Sequence, residues 1–185
     1  IYREQDLWKV QTEGWTYEGD AVILANGSKA SSVQGADGSG YVLAKELGHH
    51  IIKPLPALTG LKVKGNFFSA WAGVRTDCKV TLWIDGTETA SETGEIQLTD
   101  YGVSGIPVFQ ISGMAARALE EKRKVSVTLN FFPEYTEEKV QELLAKREKE
   151  YPELSGIERL LGLLPDKLIK VILKQKDPYR AMTAF

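Results

Sequence analysis

Lys79-Val80-Thr81-Leu82-Trp83-Ile84-Asp85-Gly86 is the stretch on which the fold of this chain turns. Val80, Leu82 and Ile84 alternate with Thr81 and Trp83, a period of two that lays an apolar row along one face of a strand. Asp85-Gly86 then supplies the left-handed residues of a tight hairpin turn. Val125, Val127 and Leu129 repeat the alternation, so these six side chains are expected to point inward together. A slip of one residue would turn the whole apolar set to water. Residues 61–130 read as short strands, with a brief helix over 113–124 that is apolar at Met114, Ala115, Ala118 and Leu119 and basic at its end. Several short strands with one or two capping helices predict a small barrel.

Moving toward the carboxy terminus, the texture changes at Phe131-Phe132-Pro133. Thr136 caps an expected helix whose first turn holds Glu137 and Glu138, with Val140, Leu143 and Leu144 as its buried stripe. Tyr151-Pro152 ends it. Ser155 with Glu158 three residues on is a capping-box pattern before Leu160, Leu161, Leu163 and Leu164. Pro165 opens a last helix with Leu168, Val171 and Ile172 inward. These three helices form an appendage of about 40 residues, a size that needs a neighbour for stability.

Moving toward the amino terminus, residues 7–12 and 15–17 alternate about Gly14 and read as a hairpin. Ala21-Val22-Ile23-Leu24-Ala25 is an unbroken apolar run, expected to be a strand buried on both faces as in a parallel sheet covered by helices. It ends in Asn26-Gly27-Ser28-Lys29, and a loop with Gly35, Gly38 and Gly40 leads into a short amphipathic helix over 41–47, with Gly48 as a left-handed cap. Lys53-Pro54-Leu55-Pro56 is a rigid connector and marks a domain boundary. The glycines of the strand-loop-helix unit let backbone N–H groups approach an anion or a flat cofactor. On spacing alone they fit better a pair of loops in which they only turn the chain.

Composition excludes several classes. The 185 residues are 43% hydrophobic and 26% charged, as in an ordinary globular protein rather than a disordered, collagenous or coiled-coil one. No apolar run approaches the roughly 20 residues of a membrane-spanning helix, and a cytoplasmic location is expected. The lone Cys78 forms no internal disulfide, and with His49 and His50 it falls short of a zinc ligand set; no metal site is expected. The net charge of −2 offers no global positive field for nucleic acid. Residues 121–185 hold 13 Lys/Arg against 11 Asp/Glu, but Lys146, Arg147 and Lys149 interleave with Glu148 and Glu150 as on a solvated face. His49 and His50 are expected to face solvent or cap a helix. Cys78, with only Arg75 and Lys79 as basic neighbours, makes a poor thiolate nucleophile. The four tryptophans are expected in core or interface positions. The chain opens Ile1-Tyr2-Arg3 and closes within a strand-like run ending at Phe185, which reads as an internal piece of a longer protein.

Three blocks taken in order carry a resemblance: Ala25-Asn26-Gly27-Ser28-Lys29, the run 35–49 from Gly35-Ala36-Asp37-Gly38-Ser39-Gly40 to His49, and Pro54-Leu55-Pro56-Ala57-Leu58. A fourth, 94–107, contains Asp100-Tyr101-Gly102-Val103-Ser104-Gly105. Together they make the chain similar to a bacterial FAD-dependent oxidoreductase family, described as aminoacetone-oxidase-like or bile-acid-reductase-like flavoproteins. The resemblance covers nearly the whole chain. It implies a multi-part α+β fold in which a Rossmann-like FAD domain is interrupted by a distorted β-barrel and a small helical part that roof the flavin. Residues 1–57 would be a partial FAD-domain segment, 58–133 the β-barrel insert, 134–176 the helical subdomain, and 177–185 the return linker.

By the same resemblance, Ala25, Gly27, Lys29, Gly38 and Gly40 contact the cofactor. Tyr101, Ser104 and Gly105 are substrate-side candidates, against the alternative that Gly102 and Gly105 only shape a turn. FAD is expected in the intact protein and not in this piece alone, with NAD(P)H as a candidate donor and a small molecule as substrate. The resemblance identifies no catalytic residue. The chain departs from the family pattern at Asn26, Ser28 and Ser39, the last standing where an aspartate is usual. A left-handed backbone is expected at Gly40. Open sheet edges beside residues 21–25 predict self-association through 1–57. The competing class is a barrel that binds a partner without catalysis.

Overall fold

The computed structural model describes residues 1–30 and 33–174. The expected return linker at 177–185 lies outside the described residues. The chain divides into two compact units, Ile1–Pro54 and Leu55–Phe185.

In the first unit, strands β1 (Tyr2–Glu4), β2 (Leu7–Gln11) and β3 (Thr16–Gly19) form an antiparallel meander in that order. The expected hairpin is present: Val10 faces Tyr17 and Gln11 faces Thr16. Thr12 closes the turn, its N–H donating to the Trp15 carbonyl at 2.8 Å. Lys9 ties the three strands through ion pairs to Glu4 and Glu18, and the Arg3 guanidinium lies 5.9 Å from the Trp8 ring centroid. Trp15, expected in a core or interface, projects into solvent at 75% exposure.

Residues 21–25 do not form the expected buried strand. Ile23 is 88% exposed. An apolar run becomes a strand only where neighbours satisfy its N–H and C=O groups, and among the described residues none pairs with it. The strand edge on which the expected self-association rested is therefore not formed. Helix α1 (Ser39–Glu46) follows the glycine loop and ends at Gly48, whose φ of 88° is the left-handed cap. The Gly48 and His49 amides donate to the carbonyls of Lys45 and Ala44, the paired bonds of a Schellman motif.

The second unit is built on a five-stranded antiparallel sheet. Its strands are β4 (Leu61–Lys62), β5 (Arg75–Ile84), β6 (Thr87–Leu98), β7 (Gly102–Gly105) and β8 (Val125–Asn130), in the order β4-β7-β6-β5-β8. It is a curled half-barrel that stays open between β4 and β8. Ile84 faces Thr87 across the predicted Asp85-Gly86 turn, where both φ values are positive, 52° and 82°. Val80, Leu82, Ile84 and Leu129 are buried and Val125 and Val127 pack against them, as the alternation requires.

Helix α2 (Phe68–Trp71) precedes β5, and α3 (Ile106–Glu120) covers the inner face of the sheet with Val108, Ile111 and Ala115. The expected helix over 113–124 thus starts seven residues earlier and stops sooner. Gly113 read as a helix boundary, but it lies inside α3, where a Cβ on it would be 3.5 Å from Ala57; the glycine is tolerated within a helix already fixed by its buried face. Helices α4 (Glu137–Glu150), α5 (Gly156–Leu160) and α6 (Asp166–Ile172) complete the unit. Thr136 caps α4, and the Ser155/Glu158 capping box opens α5. Leu160, Leu164, Leu168 and Ile172 belong to the same core cluster as Phe68, Trp71 and the sheet.

Candidate functional site

The loop after residues 21–25 folds back onto the loop before α1. Gly27 has φ 76°, and a Cβ on it would stand 3.2 Å from the Ala36 Cβ. Gly38 has φ 88°, is buried, and lies under the side chain of Lys29, whose Cγ would be 2.9 Å from an added Cβ. Gly40 lies under the Asn26 carboxamide, with Cγ and Nδ2 each 2.8 Å from such a Cβ. The structure therefore brings Gly27, Lys29, Gly38 and Gly40 together, with Ala25 entering the first loop.

Gly40 has no positive φ. It sits in the first turn of α1, where the helical conformation sets its backbone, and the left-handed residue is Gly38 instead.

Polar bonds stitch the two loops. Asn26 Nδ2 donates to Ser39 Oγ at 3.2 Å, and the Ser39 amide donates to Asp37 Oδ1 at 2.8 Å. Hydrogen bonds from the Ser39 backbone and side chain, with the Lys29 charge as a smaller contribution, hold the Asp37 carboxyl below its usual range. Reading the sequence missed Asn26 and Asp37 as members of the site. The signal was in the motif, since Asp-Gly-Ser before a helix is an Asx-turn pattern. Helix α1 opens at the left-handed Gly38; the Asp37 carboxylate holds the Ser39 amide, and the Tyr41 amide donates to the Gly38 carbonyl at 3.1 Å. The left-handed Gly27 and Gly38 and the Lys29 charge at a helix start fit an anionic, flat-ringed cofactor such as FAD.

The candidates of the second group lie in and beside β7. The Tyr101 ring is 42% exposed, and its hydroxyl would be 3.0 Å from a Cβ on Gly60. Ser104 is opposite Gln97 in the β6 pairing. Gly105, at φ 109°, passes so close to β6 that a Cβ would lie 2.9 Å from the Glu95 carbonyl oxygen. Ile106, next in the chain, is 71% exposed. Strand pairing thus accounts for Gly102 and Gly105, while Tyr101 and Ile106 present apolar surface.

Other conspicuous groups stand apart. Cys78 is fully buried, and that burial pushes its thiol up to about 12. His49 and His50 are exposed. Among the described residues no cluster of His, Cys, Asp and Glu is placed to hold a metal ion. No helix among them is long and apolar enough to cross a membrane.

Residues 55–184 match the HI0933-like protein barrel and H2TH domain. The chain belongs to that family. It is also 42% identical over 165 residues to a 3-dehydro-bile acid delta(4,6)-reductase of Clostridium scindens, an alignment covering 89% of this chain. The chain spans 40% of that reductase's length. The barrel and the helical part expected from the resemblance are the matched domain, and the sheet and helices described above are its α+β architecture.

Proposed function

We propose that this chain is the insert and the adjoining cofactor-domain segment of an FAD-dependent oxidoreductase, in which the half-barrel and helices shape access to the flavin. What supports this reading most is the convergence of residues 25–30 and 35–40 on one helix start, in a chain of this family. FAD, when bound, supplies the redox step. Of the chain's own groups, Gly27 provides close backbone approach, Gly38 and Gly40 leave room for the side chains that cover them, Lys29 provides a positive charge, and Tyr101, Ser104 and Gly105 edge the substrate side. The substrate is a small molecule, and its apolar part rests against Tyr101 and Ile106. NAD(P)H serves as the electron donor, and the protein works in the cytoplasm.

Iodide quenching of flavin fluorescence in the complete protein tests the roofing role. Tyr101→Ala and Ile106→Ala should raise the quenching constant about twofold or more with flavin content unchanged, because the shield is thinned without a change of charge while the glycine loops are intact. Quenching equal to wild type in both variants contradicts the assignment.

A further inference from the structure

Gly40 raises a question that its backbone does not answer. It has no positive φ, and a glycine within a helix costs stability relative to alanine, so conformation gives no reason for one. Space does. The Asn26 carboxamide fills the volume in front of Gly40, and its Nδ2 is held there by Ser39 Oγ at 3.2 Å. At Gly38 the Lys29 stem fills the space in the same way, with Cγ and Cδ at 2.9 and 3.1 Å from where a Cβ would stand. Gly38 is buried while Asn26 and Lys29 are exposed. Each glycine is thus covered by a side chain from the preceding loop, and the outer layer of this surface is side chain, not glycine backbone.

We propose that Gly40 is side-chain-free in order to seat Asn26, that the left-handed Gly38 also makes room for Lys29, and that these two side chains are what the loop pair presents to the cofactor. This inference rests on the flavoprotein reading above. Chemically, Asn26 offers its second Nδ2 hydrogen and its Oδ1, and Lys29 its ammonium. That donor-rich pair suits the carbonyl or phosphate oxygens of the bound group. Ser39 becomes a positioning residue: it fixes the Asn26 amide, and its own amide is already held by Asp37.

The seat and the presentation are tested separately in the complete protein. Amide hydrogen exchange across α1, with flavin removed, reads the seat. Gly40→Ala should speed exchange when Asn26 is present, because the new methyl displaces the carboxamide. In an Asn26→Ala background the same change should slow exchange about fivefold, since alanine is the better helix former. An effect of the same sign in both backgrounds overturns the seat. FAD retention on dialysis reads the presentation. Lys29→Met should lower retention about tenfold, and Asn26→Asp should do so while leaving α1 exchange intact, because its carboxylate keeps the shape and accepts from Ser39 but repels an anion. Full retention in both variants overturns the presentation. A wild-type protein that binds no FAD overturns the flavoprotein reading and the presentation with it, while the exchange cycle still decides the seat.

Discussion

At the scale of single residues, glycine does two kinds of work in this chain. Gly102, at φ 149°, runs so close to β4 that an added Cβ would press on the Leu61 carbonyl and lie 3.0 Å from the Val63 amide. Gly102→Ala should destabilise the second unit by about 2 kcal/mol or more, because backbone cannot move aside as a side chain can. Chemical denaturation checks this, and an unchanged midpoint would contradict it. Cys78 makes the opposite kind of prediction. Burial raises its thiol to about 12, so the folded protein should resist iodoacetamide at neutral pH and react fast only when unfolded. Rapid alkylation of the folded protein would contradict it. These roles were only half legible in the sequence. A glycine announces that something comes close; whether that something is a strand carbonyl, an asparagine or a cofactor depends on pairings across dozens of residues.

At the scale of elements, the hairpin at Asp85-Gly86 shows what a sequence carries well. Alternation, turn residues and caps are local, and the β5–β6 turn, the Thr136 cap and the Ser155/Glu158 box all formed where their residues stood. Residues 21–25 show what it does not carry. An apolar run is a demand for partners, and the structure leaves that run outside any strand and mostly exposed, with no described strand to meet the demand. Likewise Gly113 disguised the middle of α3 as its start. Alanine there would make an ordinary contact with Ala57, so Gly113→Ala should stabilise by about 0.5–1 kcal/mol, read as a higher melting temperature; a lower one would place the glycine under a packing constraint.

The same hairpin carries a pH dependence. Arg123 Nε donates to the Asp85 carboxylate at 2.7 Å and the Lys124 amide donates at 2.9 Å, and these bonds hold the Asp85 carboxyl below its usual value. A carboxyl with a lowered folded-state value stabilises fully above its unfolded value, and the gain is lost as pH falls through the folded one. Asp85→Asn should therefore flatten the acid limb of stability while lowering stability at neutral pH. An acid limb as steep as wild type would contradict the pairing.

At the scale of the whole molecule, the three carboxy-terminal helices are not an independent body. Their buried residues share one cluster with the sheet, α6 packs on α2, and Lys167 Nζ donates to the Ala72 carbonyl at 3.1 Å. The need of so small an appendage for a neighbour is met by the half-barrel itself. Leu168→Ala should cost about 2–5 kcal/mol and lower the melting of sheet and helices together; a helical transition separate from the sheet would contradict a common core. This unit holds the domain by which the chain joins its family, and the proposal places the cofactor at the glycine loops of the first unit. The central claim is that both belong to an FAD-dependent oxidoreductase. The absorption spectrum of the purified complete protein tests it most directly. The account predicts the yellow spectrum of an oxidised flavin at close to one per chain, retained through gel filtration; a colourless protein that takes up no added FAD would contradict it.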